Sequence, residues 1–164
     1  LVYPYNLLSN VQTRIIVDRV EKNLLRNAGV LRYIGDSYYN SALEDTRKLP
    51  NSFYVGKEAE WTMGIPWLAL CYIRLGAQKK AEYYIRQAES LMLDGSKLPK
   101  LYYAHTRKEN INNPLGWSNA LYIMAVKEYE KVYVELKSEV IEEVANTIKE
   151  VAKEKDLELD VVSE

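Results

Sequence analysis

The segment "WTMGIPWLALCYIRLGAQKKAEYYIRQAESLML", residues 61–93, decides the fold class of this chain. Its first half is mostly apolar and stops at Gly76, a residue type that commonly ends a helix. After this glycine, apolar side chains recur at the spacing of one helical face. They are Ala81, Tyr84, Ile85, Ala88 and Leu91. The segment therefore predicts a helical hairpin, with helices over 61–75 and 78–93. Pro66 must either lie in the first turn of the first of these helices or bend it.

Three further helices are predicted on either side of the hairpin. Residues 11–26 carry an apolar stripe at helical spacing, with Ser9 or Asn10 as the N-cap. Two more helices are predicted over 117–136 and 137–155, and the second of these has a narrow apolar face with many charges outside it. Because no segment convincingly alternates polar and apolar residues, the sequence predicts an all-α fold without strands.

Length and charge restrict the classes of protein to which the chain can belong. Its 164 residues are the size of one domain, so we predict a single domain over 1–164 in which 137–164 forms a charged covering helix and tail. The net charge is -1 and the charges are interspersed, which argues against a nucleic acid or an anionic membrane as partner. No apolar run approaches the roughly 18 residues of a membrane-spanning helix, so a soluble, cytoplasmic protein is predicted.

The residue types that most often carry metal or thiol chemistry are scarce. Cys71 is the only cysteine and lies in the apolar run of the hairpin, where a small buried hydrophobic side chain is expected rather than a nucleophile. His105 is the only histidine, and no cysteine or carboxylate stands at metal-ligand spacing from it. A hydrogen-bonding role in a loop is therefore expected for His105, and neither a metal nor a cofactor is predicted.

Two long aromatic segments separate the predicted helices. One runs over 30–61, after Gly29, which is expected to end the first helix, and the other runs over 96–117. The chain contains 14 tyrosines and 3 tryptophans against 1 phenylalanine. Tyrosine and tryptophan combine a flat apolar face with a polar group, and long loops are commonly functional. We therefore expect a binding site on these two segments.

Three pieces of the sequence match a known pattern in order and in approximate spacing. They are "GVLRYIGDSYYN" at 29–40, "EWTMGIPWLALCYIRLG" at 60–76, and "GSKLPKLYYAH" at 95–105 followed by "NNPLGWSNALYIMA" at 112–125. Together they resemble the C-terminal part of the catalytic domain of glycoside hydrolase family 15, the glucoamylase-like enzymes, over about residues 11–130. The resemblance implies an (α/α)6 toroid, of which these helical hairpins form part as an incomplete barrel. It also implies hydrolysis of α-glucosidic bonds with inversion.

The resemblance implies a site with two carboxyl groups, and the sequence departs from it at both. Inversion needs one carboxylic acid to protonate the leaving oxygen and one carboxylate to activate water. Where the family has the water-activating glutamate of an L-P-E loop, this chain has Lys100, whose ammonium group has no lone pair to accept a proton. The part of the domain that carries the general acid has no counterpart in this sequence. We therefore assign no catalytic residue and expect the chain to be inactive by itself.

The same resemblance assigns a set of sugar-binding residues. They are Arg32, Tyr33, Asp36, Tyr39, Trp61, Tyr102 and Trp117. Aromatic rings suit the C–H face of a glucose ring, and the forked guanidinium of arginine suits its hydroxyl groups. A plain structural reading also exists, in which Arg32 only pairs with Asp36 and Trp61 belongs to the core. In that reading Trp117 only packs against the start of its helix.

Three functions remain open from the sequence. The first is a glucoamylase-like hydrolase fragment or subunit that acts on α-linked glucose oligosaccharides or glucans, and the second is a glucan-sensing module that binds without catalysis. In both, another polypeptide or self-association is expected to cover the open inner face of the incomplete barrel. The third is a tetratricopeptide-like scaffold for protein interactions, suggested by 67–89, although no second copy follows about 34 residues away.

Overall fold

The computed structural model describes residues 7–38 and 49–154. The chain divides into two compact units, and the boundary lies between Tyr129 and Glu130. The first unit contains a helical hairpin, further helices and a small sheet. Its helices are α1 (Asn10–Leu24), α2 (Gly64–Arg74), α3 (Gln78–Ser90) and α4 (Gly116–Glu130), which reaches the boundary, and Asn51–Tyr54 forms a short 3-10 helix. The predicted predominance of helix is therefore confirmed.

The hairpin of α2 and α3 confirms the prediction made from residues 61–93. Helix α2 is buried along most of its length because its sequence is apolar on nearly every side. It begins at Gly64 and not at Trp61, which belongs to a strand. Pro66 lies in the first turn, the first of the two predicted alternatives, where its missing N–H costs no helical hydrogen bond. The buried side chains of α3 and of the residue after it are the predicted ones, namely Ala81, Tyr84, Ile85, Ala88 and Leu91.

Helix α1 begins at a capping box, which selects Ser9 from the two predicted N-caps. The hydroxyl of Ser9 accepts a hydrogen bond from the backbone N–H of Gln12, and the side-chain oxygen of Gln12 accepts one from the backbone N–H of Ser9. The helix ends at Leu24, earlier than predicted. It ends there because the following residues turn into a hairpin of two short strands.

A four-stranded antiparallel sheet joins distant parts of the first unit. Its strands are β1 (Leu25–Arg26), β2 (Gly29–Val30), β3 (Glu60–Trp61) and β4 (Leu101–Tyr102), and they lie in the order β1-β2-β3-β4. The all-α prediction therefore describes the fold only roughly, because it omits this small sheet. Strands of this length are too short to show an alternation of polar and apolar side chains, so the pattern on which the prediction rested does not detect them.

Gly29 has a different role from the predicted one. It lies in β2, and a Cβ atom at this position would stand 2.5 Å from the carbonyl carbon of Glu60 in the neighbouring strand. A residue without a side chain is needed where two backbones approach this closely. Gly29 therefore permits the close approach of β2 and β3, and it is not the residue that ends α1.

The described part of the second unit is helical. It contains a π-helical segment at Lys131–Glu135 and helix α5 (Leu136–Glu154), close to the predicted helix over 137–155. The large apolar side chains of α5 are exposed, and they are Val140, Ile141, Val144, Ile148 and Val151. Across residues 7–38 and 49–154, no helix is both long and apolar enough to span a lipid bilayer. The (α/α)6 toroid stays a prediction.

Candidate functional site

Side chains from three distant parts of the chain meet around one tryptophan. The Cζ atom of Arg32 lies 4.6 Å from the ring centre of Trp61, and Nζ of Lys100 lies 5.6 Å from it. The guanidinium also lies 4.8 Å from the ring centre of Tyr38 and 5.9 Å from that of Tyr33. These separations are typical of cation–π contacts. We call Arg32, Tyr33, Tyr38, Trp61 and Lys100 the Trp61 cluster.

The small sheet positions the Trp61 cluster. Trp61 in β3 pairs with Val30 of β2, and on its other side it pairs with Leu101 of β4. Arg32 follows shortly after β2, and Lys100 comes directly before β4. The register therefore brings both cations beside the tryptophan. A slip of one residue would turn the side chains of a strand to the opposite face of the sheet.

Asp36 holds the guanidinium group of Arg32 in place. Nε and Nη2 of Arg32 donate to the two carboxylate oxygens over 2.6 and 2.7 Å, and Asp36 is fully buried. The backbone N–H of Tyr38 donates to the same carboxylate over 3.0 Å. The hydrogen bonds to Asp36 raise the pKa of Arg32, which keeps the guanidinium charged. Because two of its nitrogens are bound, the plane of the guanidinium is fixed as well.

Tyr38 belongs to the cluster, although the sequence did not single it out. Its ring stacks on that of Trp61, with centroids 5.6 Å apart and planes at 27°. Its hydroxyl accepts a hydrogen bond from Nζ of Lys100 over 3.0 Å. The resemblance assigned the second tyrosine of the pair, Tyr39, which lies outside the described residues. Adjacent tyrosines fit such a pattern equally well, so the sequence held no signal for choosing between them.

Two buried carboxylates, which the sequence also did not single out, hold the loops that carry the cluster. Glu58 accepts a hydrogen bond from the backbone N–H of Gly35 over 2.8 Å. Glu60 accepts from the backbone N–H groups of Ala28 over 2.7 Å and of His105 over 3.1 Å. Buried N–H groups are costly to leave without an acceptor. These carboxylates therefore stabilise the loops and are not placed to act on a ligand.

His105 has the predicted hydrogen-bonding role in a loop. Its Nε2 lies 2.9 Å from the carbonyl oxygen of Gly56, and its backbone has a positive φ of 58°. A left-handed backbone is uncommon in residues other than glycine but is more frequent in His, Asn and Asp. Within the described ranges, no group of three or more His, Cys, Asp or Glu side chains is arranged to hold a metal ion.

The turn that carries Lys100 is held on two sides. The backbone N–H of Lys100 donates to Oδ1 of Asn113 over 3.0 Å. The hydroxyl of Thr62 donates to the carbonyl oxygen of Pro99 over 2.5 Å and lies 2.9 Å from Oγ of Ser118. The turn thereby presents a side chain that carries a positive charge and hydrogen-bond donors. A protonated lysine cannot accept a proton from water.

Two of the assigned residues make contacts with other parts of the first unit. Tyr102 is buried, its hydroxyl donates to the carbonyl oxygen of Leu91 over 2.8 Å, and burial raises its pKa. Trp117 is 54% exposed, and its ring centre lies 5.8 Å from that of Trp67 in α2. Of the assigned residues, the structure brings together Arg32, Tyr33, Asp36 and Trp61, and Lys100, at the expected position of the general base, lies beside them.

Comparisons with known proteins found no relative of this chain. No family model matches the chain, and neither a curated protein nor a solved structure matches it. A function is therefore argued from the geometry of the Trp61 cluster and from the sequence pattern.

Proposed function

We propose that this chain is part of a glucoamylase-like (α/α)6 domain and that its Trp61 cluster binds α-linked glucose. The observation that supports the proposal is the meeting of Arg32, Trp61 and Lys100. The family resemblance assigns these three residues, which are far apart in sequence, to one sugar pocket. A purely structural role would also explain part of this arrangement, because Arg32 pairs with Asp36 and Trp61 belongs to a buried cluster with Ala59, Leu101 and Tyr103. The sugar titration below separates the two roles.

The cluster has the chemistry that a glucose ring requires. Its aromatic rings offer flat apolar faces for the C–H face of the sugar. The guanidinium of Arg32 has five N–H donors, of which Asp36 takes two, and Lys100 adds an ammonium group for the sugar hydroxyls. Tyr33 and Tyr38 are 47% and 40% exposed, so a ligand in solvent can reach the cluster.

The chain binds sugar without hydrolysing it by itself. An inverting mechanism needs a carboxylate that takes a proton from water, and the resemblance puts Lys100 at that position. Glu58 and Glu60 do not replace the carboxylate, because they are buried and bound to backbone N–H groups. Hydrolysis therefore requires further protein that supplies the catalytic carboxyl groups.

The proposal includes a protein partner, which is either another polypeptide or a second copy of the chain. Helix α1 exposes Val11 and Ile15, and helix α4 exposes Ile123 and Met124. Exposed apolar surface of this kind favours association between proteins. Sedimentation velocity tests this part of the proposal. A clean monomer that also fails to bind a dye for exposed apolar surface would contradict it.

Titration with maltose and maltotriose tests the binding itself. We expect a saturable change in tryptophan fluorescence at millimolar sugar, with matching heat in calorimetry. Arg32→Gln should weaken binding about tenfold, because it removes a charged donor from the site. Arg86→Gln is the matched control, since Arg86 makes the same kind of i,i+4 pair with Glu82 on the exposed surface of α3. An unchanged signal with both sugars across the millimolar range contradicts the proposal.

Release of glucose separates a hydrolase subunit from a sensing module. We expect no glucose from maltose or soluble starch with the wild-type chain. Lys100→Glu restores a carboxylate at the position of the water-activating group. It should release glucose only when another polypeptide supplies the general acid, because the inverting mechanism needs both groups. Release of glucose by the wild-type chain alone would show that Lys100 does not block the reaction.

A further inference from the structure

The ring that the proposed function assigns to sugar stacking is covered in this structure. Trp61 is 6% exposed. Tyr38 stacks on it, and the guanidinium of Arg32 lies 4.6 Å from its ring centre. Nζ of Lys100 lies 5.6 Å from the same ring centre. A sugar that stacks on Trp61 therefore needs space that one of these groups occupies.

Tyr38 is the group that can be displaced at the smaller cost. Arg32 is held by two charge-assisted hydrogen bonds to the buried carboxylate of Asp36. Tyr38 is partly exposed, and its contacts include a ring stack on Trp61, a cation–π contact with Arg32 and a hydrogen bond from Nζ of Lys100 to its hydroxyl. Its backbone N–H is bonded to Asp36, so its ring can rotate away from Trp61 while the pair of Arg32 and Asp36 stays intact.

We propose that Tyr38 is a latch that occupies the place of a sugar ring on Trp61, so that a glucose unit binds only by displacing it. This inference rests on the proposed function. The phenol makes the two contacts that a sugar would make, because it stacks a flat face on Trp61 and offers its hydroxyl to Nζ of Lys100 over 3.0 Å. A glucose ring has an apolar face and hydroxyl groups for the same partners. The Tyr38 latch thereby lowers the apparent affinity of the site.

The size of this effect follows from the strength of an aromatic stack. A stack of this kind competes with a ligand by about two- to tenfold. Because a site that is open for only part of the time loses affinity in proportion, we expect Tyr38→Ala to tighten maltose binding about fivefold. Tyr38→Phe keeps the stack and loses the hydrogen bond to Lys100, so it should tighten binding by a smaller factor. Tyr83→Ala removes an exposed tyrosine of α3 and is the control, with unchanged binding expected.

A second measurement tests the latch without any sugar. Replacement of Trp67 and Trp117 by phenylalanine leaves Trp61 as the only tryptophan of the chain. In this background, Tyr38→Ala should raise the quenching constant of the remaining fluorescence by acrylamide several-fold, because one face of the ring becomes accessible. Circular dichroism of each variant confirms that it is folded.

The two measurements separate failure of this inference from failure of the proposed function. The latch is overturned if quenching does not rise in Tyr38→Ala, or if this variant binds maltose no more tightly than a wild-type chain that does bind it. If quenching rises but neither the wild-type chain nor Tyr38→Ala binds maltose, the proposed function is contradicted, and so is the role of Tyr38 in ligand binding. Increased quenching together with tighter binding supports both.

Discussion

The first unit contains two clusters of tyrosines, cations and a carboxylate, and they use these groups in opposite ways. One is the Trp61 cluster with its carboxylate, and the other consists of Glu21, Tyr72, Lys80 and Tyr84, which we call the Glu21 knot. In the knot the carboxylate is the centre. Glu21 accepts hydrogen bonds from the hydroxyls of Tyr72 over 2.8 Å and Tyr84 over 2.5 Å, and from Nζ of Lys80 over 3.1 Å.

Exposure of the rings separates the two clusters. Tyr72 and Tyr84 are each 1% exposed, and their rings stack in parallel between the packed helices α2 and α3. Tyr33 and Tyr38 lie on a loop and are partly open to solvent. The rings of Tyr72 and Tyr84 pack against each other, whereas the rings of Tyr33 and Tyr38 stay partly open to solvent, where the proposed function places a sugar. The tyrosine-rich composition by itself does not separate these two uses.

The largest effect is expected from Gly29→Ala, which should disrupt the Trp61 cluster and leave the Glu21 knot in place. The added Cβ would meet backbone atoms of Glu60 and Trp61 at 2.5 and 2.6 Å, so β2 must move away from β3. We expect the free energy of unfolding to fall by about 3 kcal/mol. Urea unfolding followed by circular dichroism measures the loss, and tryptophan emission reports the change around Trp61.

Gly116→Ala is the matched control for this substitution. Gly116 is the first residue of α4, and no atom lies within 4 Å of a Cβ at this position. Alanine also favours a helix over glycine, so the free energy of unfolding should stay the same or rise slightly. An equal loss in both variants would contradict the close approach of β2 and β3.

Asp36→Asn tests how strongly the buried carboxylate supports the Trp61 cluster. The substitution leaves the guanidinium of Arg32 beside a neutral amide, in a cluster that also contains Lys100. We expect a loss of about 2 kcal/mol in the free energy of unfolding, less than for a fully buried pair because the Arg32 side chain is 34% exposed. Chemical denaturation measures this loss.

The control for Asp36→Asn is an exposed pair of the same spacing. Glu82→Gln removes the partner of Arg86 on α3, where the side chains of Arg86 and Glu82 are 71% and 43% exposed. The loss should be much smaller than for Asp36→Asn, because solvent screens such pairs. If the two substitutions have the same effect, burial of Asp36 does not strengthen its pair.

Glu21→Gln should destabilise the Glu21 knot without affecting the Trp61 cluster. The amide loses the charge that strengthens the hydrogen bonds from two tyrosines and one lysine, so we expect a loss of about 1 kcal/mol in the free energy of unfolding. Binding of maltose should be unchanged. Asp18→Asn, on the exposed surface of the same helix, is the control, with little effect expected. Weaker maltose binding in Glu21→Gln would show that the two clusters are not independent.

The smallest effect concerns the response of the knot to acid. Burial acts to raise the pKa of Glu21, but the hydrogen bonds from Tyr84, Tyr72 and Lys80 outweigh it and lower the pKa below its ordinary value of 4.5. A carboxyl group whose pKa is lower in the folded chain stabilises the fold above its unfolded pKa, and this contribution is lost as the pH falls through the folded pKa.

Urea unfolding between about pH 6 and about pH 3 measures this contribution, which should be less than about 1 kcal/mol because Glu21 is only partly buried. The decline in stability of the wild-type chain in acid should exceed that of Glu21→Gln by this amount. If both proteins lose stability equally over this range, the carboxylate does not have the lowered pKa.

The helical hairpin was predictable because its evidence is local. The buried positions of α3 recur at a spacing that is visible within one segment, and glycine marks the end of α2. The sheet was not predictable in this way, since its strands contain two residues each. The roles of Glu58 and Glu60 were missed for a related reason. Their carboxylates accept hydrogen bonds from backbone N–H groups of distant segments, so no pattern in the neighbouring sequence indicates these bonds.

By itself, the sequence determined the hairpin of α2 and α3, an N-cap of α1 at Ser9 or Asn10, and the residue types available to a site. Local spacing and capping are sufficient for these features, because the interactions that produce them lie within a few residues of each other. The resemblance predicted that Arg32 and Trp61 share a pocket with position 100, but only the tertiary structure decided that Tyr38 joins them. Their meeting depends on the register of β2, β3 and β4, and pairing between distant segments is set by backbone contacts that no local pattern records.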